Sequence, residues 1–178
     1  QFDIDDGYEG TVTNLVINQT TGNAGIEMSG ITAATFDGFT ITQNASAKEG
    51  GIYFKGSDVG GHFKNGTLID NVSDGDGAIH SKDVADIDNT SFTNVTLSGS
   101  SSDPRFTGDS ADALLDKFNT GTGNSIGNKP KETLAGDITI DTTLTSDKAW
   151  VIDGLVAVKS GVTLTIQPGT TIIGKEGT

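Results

Sequence analysis

The phrases FDIDDG from Phe2, IEMSGI from Ile26, IYFKGS from Ile52 and IHSKDV from Ile79 recur at spacings of 24, 26 and 27 residues. A second phrase travels with them: VTNLVIN from Val12, FDGFTIT from Phe36, FKNGTLI from Phe63 and IDNTSFT from Ile87, at spacings of 24, 27 and 24. Two phrases that advance together over four copies define a repeat of about 25 residues, the size of one solenoid coil. Within each phrase apolar and polar residues alternate, which is the period of a strand and not of a helix.

Stacking the coils predicts three inward columns: Phe2/Ile26/Ile52/Ile79, Val12/Phe36/Phe63/Ile87 and Ile17/Ile41/Leu68/Phe92. Between them runs Asn14/Gly38/Asn65/Asn89. Asn and Gly enter the left-handed backbone region most readily, so their exchange at one place marks a tight corner repeated in every coil. The fold class expected is all-β, a right-handed parallel β-helix. A leucine-rich repeat would need a Leu-x-x-Leu-x-Leu ladder, which the sequence lacks.

The repeat is expected to fill residues 1–98. Residues 99–135 read as a capping or linking insertion, rich in Ser, Gly, Asn and Asp. Within it DSADALLDKF, Asp109 to Phe118, predicts a short helix capped by Asp109 or Ser110, with Leu114, Leu115 and Phe118 on one side. Such a helix would cover the open end of the stack, where strand edges and core residues are otherwise bare. Strand patterns resume over residues 136–178, the expected start of a second β-helix stretch. Both ends of the chain, which opens at Gln1, read as cuts through a longer solenoid.

Composition agrees with a turn-rich, helix-poor chain: 178 residues carry 25 glycines, and 19 of the 24 acidic residues are Asp, a turn-former. Eleven basic residues leave a net charge of −13, so phosphate backbones and anionic lipid surfaces are poor partners. No nucleic-acid binding is expected. Without cysteine there is no disulfide or thiolate chemistry. No apolar run approaches the roughly 20 residues that span a bilayer, so membrane insertion is not expected.

The segment SDKAWVIDGLVAVKSGVTLTIQPGTTIIGKEGT, and above all LTIQPGTTIIG from Leu164 to Gly174, resembles the opening coils of secreted bacterial right-handed β-helix proteins of the pectate-lyase-like superfamily. The resemblance covers about a fifth of the chain. It implies an extracellular or bacterial cell-surface setting and a tandem parent, and it implies no particular activity, because polysaccharide lyases, hydrolases, adhesins and tailspikes share that fold.

The paired catalytic aspartates, Gly-His-Gly and Arg-x-Lys phrases of polygalacturonase-like members are missing; His62 lies in GGHF, and the sole arginine, Arg105, lies in the irregular segment. The nearest approach to an active site is the outward column Asp3/Glu27/Tyr53/His80, with Asp5 and Lys55 beside it, where carboxylates and a base would share one strand face. Two histidines without a third nitrogen or sulfur ligand argue against zinc. No cofactor is required by this reading. Calcium is the candidate metal, because Asp74-Gly-Asp76-Gly with Asp70 gathers hard oxygen ligands near one turn, and Asp5-Asp6-Gly does so at another.

Outward residues of the second strand read Val16/Asn18, Thr40/Thr42, Thr67/Ile69 and Ser91/Thr93. Thr40, Thr42, Thr67 and Thr93 thus form a candidate flat face, of the kind that lets a β-helix match an ice lattice. Six Asn-x-Ser/Thr sequons (Asn18, Asn44, Asn65, Asn71, Asn89 and Asn94) follow from Asn corners next to β-forming Thr or Ser and carry no weight for glycosylation here. Tyr8, Tyr53 and Trp150 form no aromatic stripe, so a sugar partner has no nameable site.

The function expected is a non-catalytic structural or adhesive module: a stalk, adhesin segment or filament component. Its partners would be further copies stacked end to end, glycans or another cell surface. The alternatives are a polysaccharide lyase or hydrolase and an ice-binding β-helix.

Overall fold

The computed structural model describes residues 1–5, 7–30, 32–44, 49–73, 75–84, 87–127, 129, 131–146 and 148–175. The chain is all-β apart from one short helix, and its strands build a parallel β-solenoid. It divides into two compact units, Gln1–Asn128 and Lys129–Thr178.

In the first unit, short strands β1 (Phe2–Ile4), β3 (Ile26–Ser29), β5 (Ile52–Lys55), β7 (Ile79–Lys82) and β9 (Phe106–Gly108) form one parallel sheet in that order. Longer strands β2 (Thr11–Gln19), β4 (Thr32–Gln43), β6 (Val59–Asp70) and β8 (Ser91–Ser98), followed by β10 (Ser125–Ile126), form the other. Each coil contributes one strand to each sheet. The register of the first sheet joins Phe2, Ile26, Ile52, Ile79 and Phe106, the inward column read from the sequence with one further rung.

The second sheet corrects the fourth coil. Val12, Phe36, Phe63 and Phe92 share a column, as do Ile17, Ile41, Leu68 and Leu97. Ile87 stands in neither. It lies in the turn before β8, where its carbonyl accepts the Thr90 N–H at 2.9 Å. The corner column is Asn14, Gly38, Asn65 and Asn94, at φ of 55, 74, 54 and 53°, and not Asn89. The left-handed corner lets the strand turn without leaving its ladder, and the next coil keeps it with Gly123 at φ 73°.

The interior is closed by aromatic stacking. Phe63 lies parallel to Phe36 with ring centroids 5.2 Å apart and near-parallel to Phe92 at 5.4 Å, while Phe39 and Phe54 meet its edge at 5.9 and 6.0 Å. Gly66 leaves the space for this: a Cβ there would stand 2.1 Å from the Phe39 ring.

The coils continue past Ser98. Ser101 N–H reaches the Asp70 carbonyl at 3.0 Å, and β9 then adds a rung to the first sheet. The helix, α1 (Ala111–Thr120), has Ser110, one of the two expected residues, at its N-cap position and buries the expected Leu114, Leu115 and Phe118. Phe118 packs on Phe92 and Phe106 with centroids 5.5 Å away in each case, so the helix covers the last rungs. Neither Asp109 nor Ser110 caps it through a side chain. Asp109 instead accepts the Val84 N–H at 3.2 Å and the Ser110 hydroxyl donates to the Val84 carbonyl at 3.1 Å, tying the helix start to the coil beneath.

The second unit comprises β11 (Lys131–Ile138), β12 (Thr142–Leu144), β13 (Ala149–Val158), β14 (Leu164–Ile166) and β15 (Thr171–Gly174), paired β11-β13-β15 and β12-β14, all parallel. The LTIQPGTTIIG phrase turns at Gln167–Thr170: Thr170 N–H reaches the Gln167 carbonyl at 3.2 Å, with Pro168 second and Gly169 third at φ 81°, as a type II turn requires.

Candidate functional site

Asp3, Glu27, Tyr53 and His80 are brought into one register-matched column, which Thr107 extends. Glu27, Tyr53 and His80 are each tied to neighbouring side chains. Glu27 accepts from Gln1 Nε2 at 2.6 Å and from Lys55 Nζ at 3.3 Å. Tyr53 stacks on the His80 ring with centroids 5.3 Å apart. His80 Nδ1 lies 2.9 Å from the Thr107 hydroxyl, its Nε2 lies 3.7 Å from Asp76, and the Thr107 hydroxyl donates to the Asp76 carbonyl.

The expectation that this column faces outward fails at Tyr53, which is 1% exposed. Burial pushes its phenol from 10.0 up to about 12, with Glu49, Glu27, Asp83 and Asp76 raising it further by repelling a phenolate. Tyr53 is therefore neutral and takes part as a packed ring. None of the described cavities is lined by Glu27, Tyr53 or His80. One, of about 220 Å³, is lined by Phe2, Asp3, Ile4, Asp5 and Tyr8 and reaches Asp3 alone among the four residues.

The calcium candidates separate. Asp70 points inward at the end of β6, 1% exposed, with one oxygen 3.4 Å from the fully buried Arg105 guanidinium and the other accepting the Val72 N–H at 3.1 Å. Desolvation raises its carboxyl above the ordinary Asp value, and the Val72 N–H, Arg105 and Ser101 work against that rise. Asp76 sits beside His80 with its side chain half exposed. Asp74 and Asp6 lie outside the described residues, and Asp5 accepts from the Ser29 hydroxyl. Among the described residues no group of three or more His, Asp or Glu side chains is placed to hold a metal.

Arg105 and Asp70 belong to a buried polar column that the sequence reading missed. Gln19, Gln43 and Asp70 are aligned by register and are 3%, 1% and 1% exposed. Their spacings of 24 and 27 repeat the coil advance, which was the available signal. Arg105 also donates to the Gly99 carbonyl at 3.1 Å and so joins the start of β9 to the ends of both β6 and β8.

The threonine face also needs one correction. Register places Val16, Thr40, Thr67, Thr96 and Ser125 in one outward column and Asn18, Thr42, Ile69 and Ser98 in the next. Thr93 stands instead opposite Lys64 on the other side of the corner, for the same reason that Ile87 and Asn89 leave their columns. Beside the face runs an amide ladder: Asn44 Nδ2 donates to Asn18 at 2.8 Å, Asn71 Nδ2 to Asn44 at 3.0 Å, and Ser100 N–H to Asn71 at 3.0 Å. Asn94 donates likewise to Asn65, and Asn65 to Asp37, so several sequon asparagines are rungs of ladders.

No protein-family model matches the chain, and neither a curated protein nor a solved structure matches it.

Proposed function

We propose that the chain is a non-catalytic structural module, a stiff stalk or adhesin segment, of a secreted or surface-exposed bacterial protein. The observation that carries this reading is the Asp3/Glu27/Tyr53/His80 column. A catalytic set would present its acid and base to a cleft with free valences, whereas here Glu27 is neutralised by Lys55, Tyr53 is buried and His80 is stacked. The groups that could do chemistry serve as fastenings between rungs. Stability then accumulates coil by coil through stacked rings and inter-strand hydrogen bonds, which suits a spacer. The bacterial and extracellular setting, and kinship with the pectate-lyase-like superfamily, are supported by the LTIQPGTTIIG phrase.

The test is incubation of the chain with a panel of acidic and neutral glycans, followed by assay for unsaturated and reducing-end products. No product is expected. Product formation that disappears in Glu27→Ala or His80→Ala would replace this reading with a polysaccharide lyase or hydrolase acting at that column, which its register alignment favours as the second reading.

A further inference from the structure

We infer that the outward face of the second sheet beyond the asparagine corner is an ice-binding surface. The inference goes beyond the structural role and does not depend on it. Two columns define the face, Val16/Thr40/Thr67/Thr96/Ser125 and Asn18/Thr42/Ile69/Ser98, on successive parallel rungs in unbroken register. In a chain with 24 acidic and 11 basic residues, neither column holds a charge. The strip beyond the second column is neutral too, being the Asn44/Asn71/Ser100 ladder.

The absence of charge narrows the partner to an uncharged surface. An anionic or cationic polymer would call for complementary ions, and none stands on these columns. A charged side chain also holds its own hydration shell in an arrangement foreign to a crystal, whereas a threonine offers one hydroxyl and one methyl group. Rungs in a parallel stack stand ~4.8 Å apart, and outward residues two apart along a strand stand ~6.7 Å apart. These spacings are close to the oxygen repeats on a prism face of hexagonal ice. The array is also held rigidly. Phe39, Val95, Ile41, Leu68 and Leu97 fill the space directly behind it, buried to within a few per cent. The Thr96 and Ser125 hydroxyls, 3.1 Å apart, are already locked to one another along the column. Water ordered over such a face occupies lattice positions before a crystal arrives, so docking orders little further.

The experiment uses the full chain in a seeded ice-growth assay, measuring thermal hysteresis and partition into a slowly growing ice front. The chain is expected to enter the ice and to hold a seed crystal without growth below its melting point. Thr40→Tyr and Thr67→Tyr each place a ring across the face and should abolish both effects with the melting curve unchanged. Thr93→Tyr, on the other side of the corner, should leave both effects at their original size. Exclusion of the unmodified chain from ice, retention of hysteresis in the two face variants, or equal loss in Thr93→Tyr would each overturn the inference.

Discussion

The two units follow the same strand alternation but bury it to different extents. In the first unit the inward residues from Ile26 to Phe106 are almost without solvent contact. In the second, Leu155 is 85% exposed and Ile140 74%, and Ile166, Ile172 and Ile173 are exposed as well. Leu155 lies at the register irregularity between β11 and β13 and Ile140 in the bend after β11, and the remaining difference lies in rung number. A coil cannot bury its own apolar face; it needs a coil above and below, and the first unit's sheets have five strands each where the second unit's have three and two. Parallel strands of the same kind therefore bury a full core where five rungs stack and a thinner one where two or three do.

The sharpest way to break that comparison is to put the same charge into both units. Phe63→Asp removes the ring at the centre of four aromatic contacts and buries a carboxylate there. Truncating such a ring costs about 3–5 kcal/mol, and the unpaired charge adds to it. Leu155→Asp should change stability by less than about 0.5 kcal/mol. Thermal unfolding followed by circular dichroism reads the first. Emission from Trp150, the only tryptophan, buried in the second unit with its Nε1–H on the Thr145 carbonyl, reads the other. Equal damage by the two variants would contradict the difference in burial.

Next in size is the pair inside the first stack. Arg105→Leu leaves Asp70 buried without its guanidinium and should cost about 3–5 kcal/mol. Replacing both, Arg105→Leu with Asp70→Leu, should recover most of the loss. The double variant melting no higher than Arg105→Leu alone would mean that Arg105 acts through Gly99 instead of through Asp70.

These cases also show what was legible in the sequence. The first sheet's register was readable for four rungs, because Phe2, Ile26, Ile52 and Ile79 keep near-even spacing and neighbouring turns, but its fifth rung, Phe106, falls in the stretch that reads as an insertion. The second sheet was readable for three coils. In the fourth, the sequence holds the corner pattern twice, as Ile87-Asp-Asn89 and as Phe92-Thr-Asn94, five residues apart. Mean spacing favours the first copy, and the longer turn after β7 makes the second one real; Thr93 went wrong with it. The Asp3/Glu27/Tyr53/His80 alignment was readable, but the burial of Tyr53 was not, since alternation says which side of a strand a residue takes and not what folds over it. The Asp70–Arg105 pair joins residues 35 apart, across the break in the repeat, where periodicity carries no information.

A smaller effect tests how tightly the first unit is filled. Gly66→Ala would drive a methyl group into the Phe39 ring, a cost of about 1–3 kcal/mol. Phe39→Leu alone should also destabilise, by opening space over Gly66. Combined, the two changes should cost less than their sum, because the added methyl group occupies the space the ring gave up. Strict additivity in denaturant melts would show that Phe39 does not lie over Gly66.

The smallest expected effect is a pH dependence confined to the first unit. Tyr53 is neutral in the fold, with its phenol raised from 10.0 to about 12 by burial and by the surrounding carboxylates. A phenol whose folded value exceeds its unfolded value contributes stability that is complete below 10.0 and is lost as pH rises towards about 12. Allowing for solvent screening, the loss is about 1–2 kcal/mol. Both tyrosines, Tyr8 and Tyr53, belong to the first unit, so the second has no phenol to ionise. Alkaline titration should lower the first unit's melting temperature more than that of the transition seen by Trp150, and Tyr53→Phe should remove the excess. An unchanged alkaline slope in Tyr53→Phe would show that Tyr53 ionises as freely in the fold as in the unfolded chain, which its stacking on His80 and its burial forbid.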